Sequence, residues 1–96
     1  MILHYNIYPS NKPSVGHIVR FYLSDCEVIN IVHMCAYMRD KLDSSIGVCD
    51  FMDWDYKSGI GTARVCIQRG VDLETTKVAM DQMQEDLKGI EELNKF

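Results

Sequence analysis

At 96 residues, with 47% apolar and 25% charged side chains, the chain has the size and composition of one small globular domain spanning residues 1–96, which excludes a disordered or low-complexity protein. A net charge of −4 and a pI near 5.2 set it against phosphate backbones, so non-specific coating of nucleic acid is not expected. No apolar run is long enough to cross a bilayer, and Met1 to Asn6 lack the basic-then-apolar order of a signal peptide.

The first element is a strand from Ile2 to Tyr8, where Leu3, Tyr5 and Ile7 alternate with His4, Asn6 and Tyr8. Pro9 to Ser14 is rich in turn formers. A second strand runs from His17 to Ser24 with Val19, Phe21 and Leu23 on one face. Ser24-Asp25-Cys26-Glu27 has the spacing of a capping box, in which the serine side chain accepts from the amide three residues on. The helix behind it presents Val28, Ile31, Cys35, Met38 and Leu42 as one stripe. Asp43-Ser44-Ser45 and Gly47 end that helix.

A third strand is read from Cys49 to Tyr56, a glycine-bearing turn at Lys57 to Gly61, and a fourth strand from Thr62 to Gln68. Asp72 is a candidate N-cap for a last helix carrying Leu73, Thr76, Met80, Met83, Leu87 and Ile90 on one stripe. The order ββαββα is a pseudo-duplication. A shift of 44 residues superposes both strand pairs, with Arg20 falling on Arg64 and Leu3, Tyr5 and Ile7 on Gly47, Cys49 and Phe51. Burial then dictates an α+β two-layer sandwich, a four-stranded, mostly antiparallel sheet with two helices on one face. The sequence leaves the central strand pair open. The expected core comprises Leu3, Tyr5, Ile7, Val19, Phe21, Leu23, Cys49, Phe51, Ala63, Val65 and Ile67, with the two helical stripes above them.

The same alternation assigns the face away from the helices. It receives His4, Asn6, Tyr8, Ile18, Arg20, Tyr22, Val48, Asp50, Met52, Trp54, Thr62, Arg64, Cys66 and Gln68. Ile18, Tyr22, Val48, Met52 and Trp54 make that face more apolar than a solvated surface requires, which points to an interface.

Catalytic motifs are not legible: the sequence has no glycine-rich phosphate loop, H-E-x-x-H or G-x-S-x-G. Cys26, Cys35, Cys49 and Cys66 form no C-x-x-C and are read as reduced thiols, the state expected in the cytoplasm. Neither a metal nor another cofactor is expected from His4, His17 and His33, and Cys66 beside His4 or His17 lacks any sign of activation. Arg20 and Arg64, equivalent in the repeat and flanked by Tyr22 and Asp50, are candidates for a small anion or nucleotide, because paired guanidinium groups match phosphate and carboxylate. The competing reading is that they form cross-strand ion pairs with Asp50. Met52, Asp53, Trp54, Asp55 and Tyr56 interleave carboxylates with large apolar side chains, a pattern suited to a protein surface. The expectation is a small non-enzymatic binding protein, an inhibitor, adaptor or regulatory subunit. Its partner is a second copy, as a homodimer, or a heterologous protein. The alternative is an anion- or nucleotide-binding module.

Overall fold

The strands come in the order β1 (Ile2–Pro9), β2 (Val15–Ser24), β3 (Gly47–Asp55) and β4 (Ile60–Gln68), with helix α1 (Val28–Lys41) between β2 and β3 and helix α2 (Leu73–Leu93) last. This computed structural model describes residues 1–55 and 57–93, apart from the Val28 side chain. The fold is the expected α+β arrangement. All strand pairs are antiparallel and the sheet order is β1-β2-β4-β3, so β2 and β4 form the central pair.

One face of the sheet is covered by the helices. Across it run the rows Ile7, Val19, Val65, Cys49; then Tyr5, Phe21, Ala63, Met52; then Leu3, Leu23, Gly61, Trp54. Val19, Phe21, Leu23, Ala63, Val65 and Ile67 are buried there against Ile31, Met34 and Met38 of α1 and Met80, Met83 and Leu87 of α2. α1 lies against β3 and α2 against β1, so each helix packs over the strand pair of the opposite half. The α1 stripe is rotated from its expected position. Met34 is buried and Cys35 only partly so, and the Val28 assignment lies outside the described residues. On α2, Leu73 stays exposed and the buried stripe begins at Thr76.

The two helix starts are held in different ways. Asp72 caps α2 by accepting from the Thr75 amide at 2.7 Å, as its position predicts. The expected capping box at Ser24 does not form. Ser24 remains in β2, Asp25 takes a left-handed φ of 55°, and Glu27 is the N-cap without a side-chain bond. The turn is instead held by tertiary contact: the Cys26 amide donates to the Gly59 carbonyl at 3.3 Å. Gly59 has φ +68°, and a Cβ there would collide with the Cys26 carbonyl, so glycine is required.

The main departure from the sequence reading lies in β3. Its register with β4 shifts between Cys49 and Phe51, so Asp50 is an extra residue in a β-bulge. A one-residue insertion moves every following side chain to the other face. Phe51, assigned to the core, is therefore 44% exposed on the open face. Met52 and Trp54, assigned to the open face, pack partly buried under α1. The Trp54 ring lies on Gly61, where a Cβ would fall inside its edge. No helix among the described residues is long and apolar enough to cross a membrane.

Candidate functional site

The face away from the helices is laid out by the strand registers in four rows. The first is Tyr8, Ile18, Cys66 and Val48; the second is Asn6, Arg20, Arg64 and the bulge pair Asp50 and Phe51. The third is His4, Tyr22, Thr62 and Asp53, and the last places Ile2 on β1 and Ile60 beside Asp55 on β4 and β3. Tyr8, Val48, Phe51, Ile2 and Ile60 are exposed. Apolar side chains thus remain on this face after Met52 and Trp54 have left it, with Phe51 in their place.

Arg20 and Arg64 stand directly opposite each other in the central pair. The β2–β4 register is symmetric about them, so the pseudo-two-fold relating the two ββα halves passes between the two guanidinium side chains. Their environments differ. Arg64 holds Asp50 through two hydrogen bonds, Nε to Oδ1 at 2.9 Å and Nη2 to Oδ2 at 3.0 Å. It also lies over the Phe51 ring, 5.6 Å from its centroid. The bulge places both Asp50 and Phe51 on Arg64, so the arginine supports the irregularity it faces. This pair holds the Asp50 carboxyl below the usual carboxylate range, chiefly through the Arg64 hydrogen bonds.

In the other half, the position equivalent to Asp50 is Asn6, opposite Arg20. An amide brings no charge, and among the described residues no acid pairs with Arg20. The ion-pair reading therefore describes Arg64, while Arg20 forms no ion pair among the described residues. Arg20 borders a depression of about 560 Å³ over the small Thr62 side chain, flanked by Tyr22, Asp53, Asp55 and Ile60. The Thr62 hydroxyl is buried there with no hydrogen-bond partner among the described residues.

Around Arg20 the side chains are ordered by one another. His4 stacks on Tyr22 with centroids 5.1 Å apart, and the Tyr8 and Tyr22 hydroxyls lie 3.1 Å apart. That shared hydrogen bond lowers the Tyr8 pKa and raises that of Tyr22. Cys66 donates to Asp50 Oδ2 at 3.3 Å, and burial pushes its thiol up. A raised thiol bonded to a carboxylate, with His4 turned onto Tyr22, offers no activated nucleophile. Among the described residues no group of three or more His, Cys, Asp or Glu side chains could hold a metal.

The acidic-aromatic stretch is divided between two surfaces. Asp53 and Asp55 project with Phe51 toward the open face, whereas Met52 and Trp54 turn under α1. Tyr56 lies outside the described residues. Asp55 also organises the β3–β4 turn, accepting from the Lys57 amide at 2.9 Å, which lowers its pKa. The role of Phe51 on Arg64 escapes sequence reasoning, since only the bulge reveals it. No protein-family model matches the chain, and neither a curated protein nor a solved structure matches it.

Proposed function

We propose that this is a small non-enzymatic protein-binding protein, of the inhibitor, adaptor or regulatory-subunit kind, acting through the open face of its sheet. One observation carries the reading. Helices cover a single face, and the other presents Tyr8, Ile18, Val48 and Phe51 beside an arginine that forms no ion pair among the described residues. Contiguous apolar side chains rimmed by polar ones are the usual make-up of a protein interface. The occupant we propose is a second copy, because a two-fold arrangement buries the same patch on both chains at once. Free thiols at Cys26, Cys35, Cys49 and Cys66, all raised by burial, suit a reducing compartment, and the cytoplasm is the proposed location.

Light scattering during size-exclusion chromatography tests this on the parent and on Tyr22→Asp with Phe51→Asp. The parent is expected as a dimer and the double variant as a folded monomer. A strictly monomeric parent would remove the homodimer and leave a heterologous protein as the occupant. A folded, still dimeric double variant would place the interface elsewhere.

A second reading is favoured by Arg20 itself. Its guanidinium, which forms no ion pair among the described residues, lines one depression with Tyr22 and Thr62 and is the group there that matches a carboxylate or phosphate, against the opposing charge of Asp53 and Asp55. Arg64, beside it, is committed to Asp50. A rise in melting temperature with phosphate that Arg20→Gln abolishes is the expected signature. An unmodified protein that phosphate leaves unchanged would exclude it.

A further inference from the structure

The outer edge of β3 is unpaired and borders both the open face and α1. β3 pairs on one side only, with β4. The bulge at Asp50 disturbs its first half, while Phe51 to Asp55 run in unbroken register opposite Arg64 to Ile60. An edge of this kind exposes backbone donors and acceptors that another extended chain can satisfy. The side chains along it alternate between two chemistries. Asp53 and Asp55 lie toward the open face; Met52 and Trp54 lie toward α1.

The α1 side of this edge combines apolar and charged side chains. A groove of about 600 Å³ runs between α1 and β3, with Val32, Ala36, Met52 and Trp54 as its apolar part and Arg39 and Asp53 at its charged rim. Ile29 and Val32 on the outer flank of α1 are 49% and 51% exposed. These residues leave α1 apolar beyond the stripe it buries in the core, and an apolar outer flank on a helix marks a surface meant to be covered. The Trp54 indole N–H is buried at this same boundary, where it faces the Cys35 thiol of α1.

We propose that the β3 edge binds an extended segment of a partner protein in which basic and apolar residues alternate. Added as a fifth strand, such a segment directs its apolar side chains into the Val32–Trp54 groove. Its basic side chains then lie on the face where Asp53 stands, and Asp53 has no cation of its own among the described residues. Period-two alternation in the ligand matches period-two alternation in β3, the rule by which strand addition gains specificity. The charges select against a second copy. Two β3 edges paired antiparallel would set Asp53 and Asp55 against their own equivalents, and like charges across strands destabilise the pair. The other edge, β1, brings only His4 as a titratable base to answer them.

The chain has a single tryptophan, so its emission reports directly on this groove. A blocked synthetic peptide alternating lysine and valine is titrated into the full chain. We expect a saturable shift of Trp54 emission that is absent when lysine is replaced by glutamate. N-methylation of the peptide amides that face β3 is expected to abolish it. Val32→Asp, at an exposed position that the core does not need, should weaken binding about tenfold or more, as loss of an interface anchor does. Asp53→Lys should transfer the preference to the glutamate–valine peptide, a gain that simple misfolding cannot produce. Tyr22→Asp on the open face should change nothing. Equal binding of lysine, glutamate and N-methylated peptides, or loss of binding in Tyr22→Asp alone, would overturn the proposal, as would no binding of the lysine peptide.

Discussion

Replacing Gly61 by alanine tests the β3 register through the sign of its effect. Gly61 lies in the central part of the sheet with ordinary extended backbone, facing the helices beside Trp54. Glycine to alanine in such a place normally stabilises by about 0.4–1 kcal/mol, because the unfolded chain loses freedom. Here the new methyl group falls inside the Trp54 ring edge. The indole must leave its place between Gly61 and α1, and overpacking of this kind costs about 1–3 kcal/mol. The steric term is the larger, so the net expectation is a loss of about 1–2 kcal/mol, roughly 5–15 °C in Tm for a domain of this length. Urea unfolding followed by far-UV circular dichroism measures it, and Trp54 emission should move to longer wavelength in the folded state. In a Trp54→Leu background the obstacle is smaller and the same substitution should become neutral or stabilising, a coupling that a double-mutant cycle isolates. If Gly61→Ala instead stabilised the otherwise unaltered chain, Trp54 would lie on the open face and the bulge at Asp50 would be absent.

Other consequences follow from the core and from the titrating groups. Phe21, 1% exposed at the middle of β2, should cost about 3–5 kcal/mol when cut to alanine, readable as a lower urea midpoint. Tyr5 is pushed up to about 12, first by burial and then by its hydrogen bond to Asp81. Its contribution is complete below the unfolded value of 10.0 and is lost as pH rises toward 12, so alkaline unfolding should be delayed in Tyr5→Phe. Phenolate absorbance should show one tyrosine titrating last in the parent and missing in that variant. Asp50 is shifted the other way: its stabilisation is present above the unfolded carboxylate value and is lost as pH falls through the lower folded value. Asp50→Asn should therefore flatten the acid limb of the stability curve, and an unchanged acid limb would mean that the Arg64 pair contributes nothing.

The element order was legible because each strand and helix carries its own period, and those periods survive in a single sequence. Leu3 and Val19 are where alternation puts them, and Met80 and Leu87 are where helical spacing does. The order β1-β2-β4-β3 was not legible, since pairing between halves depends on surfaces that periodicity does not rank. Trp54 and Phe51 were placed on the wrong faces for a definite reason. Alternation assumes an uninterrupted strand, and the residue that interrupts this one, Asp50, is held by Arg64, fourteen positions away in sequence. The same long-range pairing decided the fate of the two arginines. Sequence symmetry made Arg20 and Arg64 equivalent, and the neighbours across the strands, Asn6 and Asp50, explain why Arg64 forms an ion pair and Arg20 forms none among the described residues.

The claim that the open face is the interface is tested most directly by hydroxyl-radical footprinting, read by mass spectrometry, at low and high protein concentration. Tyr8, Tyr22 and Phe51 should lose labelling as concentration rises, while Ile29 and Val78, exposed on the helices, keep theirs. Protection of Ile29 and Val78 with the three open-face aromatics unchanged would contradict the account.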